Sequence, residues 1–116
     1  MNNLPYKRAD RVSQMIHRVL ADALTMEMSD PGLSGVTIMS VKLTADMGIA
    51  RVYYAFNPYS DVRKKEIDKA WGRAASYLRR LVGSEVKLRI TPKLEFFHDE
   101  GLDMEEKIEK LLHGGE

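Results

Sequence analysis

Apolar residues in this chain recur with a period that changes from segment to segment, and those changes mark its elements. From about Tyr6 to Met28, Val12, Met15, Ile16, Val19, Leu20, Ala23 and Leu24 return at intervals of three and four, the spacing of one helix face. Ser29-Asp30-Pro31-Gly32-Leu33-Ser34-Gly35 then breaks the pattern with residues that disfavour continued helix. Val36–Leu43 reads as a strand, but Val36 and Ile38 share one parity and Val41 and Leu43 the other. That switch predicts either a bulge near Met39-Ser40 or a strand buried on both faces. After the turn Thr44-Ala45-Asp46-Met47-Gly48, a second strand runs from Ile49 to Phe56. Ala50, Val52, Tyr54 and Phe56 lie on one side of it, and Arg51, Tyr53 and Ala55 on the other. The short connection makes the two strands a hairpin.

Asn57-Pro58-Tyr59-Ser60 ends the second strand, and Ser60 is the expected N-cap of a long helix, Asp61–Val82. Its apolar stripe is Ile67, Ala70, Trp71, Ala74, Leu78, Leu81 and Val82. Gly83-Ser84 is expected to stop it. Glu85–Ile90 is expected to be the third strand, with Val86, Leu88 and Ile90 alternating against Lys87 and Arg89, followed by the run Thr91–Phe97. Asp103–His113 has a short amphipathic stripe of Met104, Ile108, Leu111 and Leu112. The order helix, strand, strand, long helix, strand, tail helix predicts an α+β domain. Its three-stranded sheet has helices packed on one face, and one strand pair is made parallel by the crossover.

Charge changes this picture at the long helix. Opposite Trp71, the wheel collects Lys65, Lys69, Gly72, Arg73, Ser76, Arg79 and Arg80, with no acid among them. Surface helices usually mix signs to gain pairs one turn apart. Small residues between cations leave a low strip where a phosphate backbone can approach. Two readings stand: a face for nucleic acid, and a solvated basic face. Lys87 and Arg89 are candidates to flank it. Lys7, Arg8 and Arg11 load the start of the first helix, the wrong end for cations in the helix dipole. They either extend a basic surface or are balanced locally by Asp10 and Asp22.

The net charge of +1 hides an asymmetry. Asp61–Lys93 holds ten Lys/Arg against four acids, and Leu94–Glu116 two Lys against eight acids. A basic body of residues 1–100 and an acidic tail of residues 101–116 are therefore expected, with a polyanion as partner of the body. The chain has 116 residues, the size of one domain, and lacks cysteine, so no disulfide or thiolate site is available. No apolar run is long enough to span a membrane and the N-terminus lacks a signal-peptide pattern, so a cytoplasmic protein is expected. His17 is expected to be solvated. His98-Asp99 are adjacent in an extended run and point apart, so they make a poor dyad. No phosphate-loop, nucleophile-elbow or zinc-helix motif occurs. Neither an enzyme nor a cofactor nor a metal is expected.

Several stretches together are similar to the bacterial ribosome-binding factor A family. They are Arg11-Val12; Ser29-Asp30-Pro31-Gly32-Leu33; Val36-Thr37-Ile38 with Val41 and Asp46; and Ala50-Arg51-Val52-Tyr53-Tyr54. Further on come Ala74-Ala75-Ser76-Tyr77-Leu78-Arg79 and Leu88–Phe96 with Asp99. The resemblance runs from about Lys7 to Leu112. It implies a type II KH-like fold of order α-β-β-α-α-β. It also implies a non-catalytic assembly factor that binds the small (30S) ribosomal subunit and 16S rRNA, aids 16S maturation, and serves cold adaptation; a monomer is expected. Release by a ribosome-associated GTPase is implied as well. The family's long helix kinks at an Ala-x-Gly step. Here the step is Ala74-Ala75-Ser76, so the kink near Ala74–Ser76 is kept only if Ser76 bends the helix. The alternatives are a KH-like single-strand binder unconnected with ribosomes, and a protein-interaction module using its basic face.

Overall fold

The computed structural model describes residues 5–27, 30–57 and 63–99. Helix α1, Pro5–Asp22, passes into a π-helical turn, Ala23–Glu27. A short 3-10 turn, Pro31–Leu33, leads to strands β1, Val36–Leu43, and β2, Ile49–Phe56. Helix α2, Lys64–Glu85, and strand β3, Lys93–His98, follow. The sheet order is β1-β2-β3, with β1 antiparallel and β3 parallel to β2. The α+β expectation, with two helices and a three-stranded mixed sheet, describes this architecture. Ser60 and the tail helix Asp103–His113 lie outside the described residues.

The parity switch in β1 is a bulge. Ile38 pairs with Tyr54 and Ser40 with Tyr53, leaving Met39 as the extra residue. The bulge returns Val41 to the same covered face as Ile38, and both are buried. Two side chains of α1 fasten this strand. The buried Ser13 hydroxyl accepts the Leu43 N–H at 3.0 Å and donates to the Ala9 carbonyl at 2.7 Å. His17 Nε2 donates to the Ile38 carbonyl at the bulge, 2.9 Å away. His17 is thus half-buried and bonded rather than solvated, because β1 is an edge strand whose outward carbonyls have no strand partner.

The third strand corrects the sequence reading. The alternating segment at Val86–Ile90 is not a strand, and Ile90 is 72% exposed. Helix α2 continues through Gly83-Ser84 to Glu85, and the Val86 N–H closes it on the Val82 carbonyl. The ladder begins at Lys93, just after Pro92, which has no N–H to contribute to it. Gly83 serves close approach rather than termination, since a Cβ there would stand 2.8 Å from Thr91 Oγ1. Nor is α2 split: helix persists through Ala74–Ser76, so the described order is α-β-β-α-β. Its N-cap position is Arg63, whose side chain makes no capping bond.

The core lies between the two helices and one face of the sheet. Ile16 and Leu20 from α1, Val52 and Tyr54 from β2, and Ile67, Leu78 and Val82 from α2 are fully enclosed. Trp71 stacks on Phe96 with centroids 4.1 Å apart and meets Tyr54 edge-on at 5.4 Å. The Tyr54 hydroxyl donates to Asp68 Oδ1 at 3.2 Å. Burial, then the Asp68 charge, pushes its pKa to about 12.

Candidate nucleic-acid interface

Burial of the α2 stripe decides what the rest of that helix offers. Ile67, Ala70, Trp71, Ala74, Leu78 and Val82 are all buried. Lys65, Lys69, Gly72, Arg73, Ser76, Arg79 and Arg80 are consequently turned outward, and every one is exposed. The expected basic face therefore exists as a surface, but its cations are not equivalent.

Two of them are engaged in holding the fold. Arg73 grips Asp30, with Nη2 2.9 Å from Oδ1 and Nε 3.2 Å from Oδ2. Asp30 also accepts the Gly32 N–H at 2.9 Å, which caps the 3-10 turn. Hydrogen bonding from Arg73, then from Gly32, holds the Asp30 carboxyl below its usual range, and the same bond raises Arg73. The loop sits tightly on the helix here, since a Cβ on Gly32 would stand 2.7 Å from that of Ala70. Arg79 donates to the Thr91 carbonyl at 2.9 Å and the Pro92 carbonyl at 3.3 Å. It ties the chain entering β3 to the helix.

Lys65, Lys69 and Arg80 remain exposed and form no ion pair with the described residues. The neighbouring Lys64 differs, pairing with Asp68 at 3.1 Å. Ser76, Arg79, Arg80 and Thr91 line an open hollow of about 520 Å³. Lys87 and Arg89 are exposed on the irregular connection after α2, not on a strand face as expected. Lys7, Arg8 and Arg11 are exposed on the first turns of α1.

Nothing in the sequence signals the Asp30–Arg73 clamp, whose partners are 43 residues apart. His98 packs against the rings of Tyr54 and Phe56, at 5.7 and 4.9 Å, as an aromatic neighbour. No cluster of three or more His, Asp or Glu suited to a metal occurs among the described residues. Among them, too, no helix is long and apolar enough to cross a membrane.

Comparison with known proteins agrees with the fold. The family model of ribosome-binding factor A matches residues 8–112. Ribosome-binding factor A of Legionella pneumophila strain Lens is 37% identical over 113 residues, spanning 97% of this chain and 89% of that protein. The crystal structure of ribosome-binding factor A from Thermus thermophilus superposes with a TM-score of 0.68 at 24% identity, covering 78% of this chain and 94% of that one. A homology model of the Thermus thermophilus factor, fitted into a cryo-electron-microscopy map of a 30S–RbfA complex, gives a TM-score of 0.63 at 24% identity. It covers 79% of this chain and 96% of that one. Matched across nearly its whole length, the chain belongs to the ribosome-binding factor A family.

Proposed function

We propose that this protein binds the small ribosomal subunit through α2 and assists 16S rRNA maturation without catalysing a reaction of its own. The observation that carries the reading is the row Lys65, Lys69 and Arg80, exposed and unpaired with any described carboxylate. Family membership supports the choice of partner, and the Thermus relative is one for which a 30S complex has been described. Ser76 and Arg79 shape the hollow beside Arg80, and Arg73 reaches RNA only with whatever donors Asp30 leaves free. Lys87, Arg89, Lys7, Arg8 and Arg11 are flanking candidates. A cytoplasmic location, a part in cold adaptation and release by a ribosome-associated GTPase belong to the same proposal.

The test is co-sedimentation with 30S subunits of a variant carrying Lys65→Glu, Lys69→Glu and Arg80→Glu. Each lost phosphate contact lowers the slope of log affinity against log salt by about 0.7–0.9. Three lost contacts therefore flatten it by roughly 2–3, while exposed substitutions leave stability within about 0.5 kcal/mol. Parental binding and an unchanged salt slope would remove α2 as the RNA face.

A further inference from the structure

The helices cover one face of the sheet, and the strand register fixes what stands on the other. It brings Lys42 of β1, Arg51 and Tyr53 of β2, and Lys93 and Phe97 of β3 to that opposite face. Tyr53 and Phe97 are direct partners across the parallel pair, and their rings stack with centroids 5.6 Å apart at 29°. Lys42 Nζ lies 5.9 Å from the Tyr53 centroid. Phe97 is nonetheless 41% exposed. Lys42, Arg51 and Lys93 are exposed and form no ion pair among the described residues, although Glu95, the register partner of Arg51, stands on the same face.

A cross-strand aromatic pair stabilises a sheet whatever else it does. That accounts for the contact between the rings. It does not account for a large apolar ring left in water, nor for three cations on the same face that form no ion pair among the described residues.

We propose that this open face is a second nucleic-acid site, separate from α2, and that it takes single-stranded RNA. An unpaired base stacks on the exposed Phe97 ring, with Tyr53 backing it, and Lys42, Arg51 and Lys93 neutralise adjacent phosphates. The unpaired state matters because a base inside a duplex is already stacked on its neighbours and cannot offer its face to a ring. Stacking selects flat partners, so an acidic protein, which needs the cations alone, fits the face less fully. The choice of RNA rests on the function proposed above, whereas the location does not.

The experiment measures fluorescence anisotropy of a labelled short oligouridylate, and of an RNA hairpin stem, with the full chain at low salt. The variant carries Tyr53→Leu and Phe97→Leu, which keep apolar bulk and remove the ring faces. Its affinity for oligouridylate should fall about tenfold or more, with hairpin binding and cooperative melting retained. Phe97→Tyr should bind as the parent does. Unchanged oligouridylate affinity in the leucine variant overturns the proposal. Should that variant fold poorly, the parent supplies the second measurement. Nuclear magnetic resonance shifts of the Tyr53 and Phe97 rings on titration with oligouridylate support the site, and shifts confined to α2 overturn it. Ring shifts produced by an acidic peptide but not by oligouridylate overturn it in favour of a protein partner. The charge-reversed α2 variant separates the two surfaces. If it keeps subunit binding while the leucine variant loses oligouridylate, the helix assignment fails and the sheet assignment stands.

Discussion

The same substitution at two glycines should change stability in opposite directions. Gly32 lies under α2, where an added Cβ would stand 2.7 Å from the Ala70 Cβ, and contact becomes ordinary only from 3.4 Å. Ala70 is fully buried and its Cβ is fixed to the helix backbone, so no side-chain rotation relieves the clash. The loop must move by about 0.7 Å, which also strains the Asp30–Arg73 clamp beside it. Overpacking of this kind costs roughly 1–3 kcal/mol. Gly72 is the contrary case: it lies inside α2, exposed, and a Cβ there would meet nothing within 4 Å. Alanine is favoured over glycine in a helix interior by about 1 kcal/mol. For a domain of this size each kcal/mol moves Tm by roughly 4 °C. Gly32→Ala should therefore melt about 8 °C below the parent and Gly72→Ala about 4 °C above it, by differential scanning calorimetry. A Gly32→Ala Tm indistinguishable from the parent's would refute the close-packing account. If RNA also lies low over this helix, Gly72→Ala should bind subunits more weakly despite its higher Tm, a combination that stability alone does not produce.

Other expectations follow from single contacts. Trp71→Ala should cost about 3–5 kcal/mol in chemical denaturation, because the indole is 4% exposed and stacked on Phe96. The depressed Asp30 pKa means its contribution is complete above the unfolded value of 3.8 and is lost as pH falls through the lower folded value. Asp30→Asn should thus lower Tm at neutral pH, and the gap from the parent should close as pH falls below 3.8 and through the lower folded value. Tyr54, raised to about 12, favours the folded state until pH rises past its ordinary 10, so alkaline unfolding should set in between those values. Tyr54→Phe should remove that step from a tyrosinate absorbance titration.

Period and parity carried much of the fold. The α2 stripe was legible because its members follow helical spacing: Ile67, Ala70, Trp71, Ala74, Leu78 and Val82 are buried, and Leu81 at the edge of the stripe is half-buried. The β1 bulge was legible because strand parity allows no other way to return Val41 to the face of Ile38 unless both faces are buried. The third strand was not, because Val86–Ile90 and Lys93–Phe97 both alternate. The choice between them is tertiary, set by parallel pairing with β2 and by Pro92 at the boundary. Gly83-Ser84 misled for a related reason, since a glycine required by a neighbouring chain looks the same in sequence as one required by a helix end.

The division of labour among the cations on α2 follows from side-chain geometry. A guanidinium presents several donors in a flat fork, which suits a carboxylate or two successive carbonyls. Arg73 and Arg79 are used in that way, one on Asp30 and the other on Thr91 and Pro92. Lys65 and Lys69 carry compact charges on flexible stems, and these, with Arg80, form no ion pair among the described residues. A surface of exposed lysines attracts phosphate without reading sequence. If α2 is the RNA face, its affinity should be strongly salt-dependent and nearly indifferent to base identity. Preference for unpaired bases would then have to come from elsewhere, and among the described residues the exposed Phe97 ring is placed to supply it.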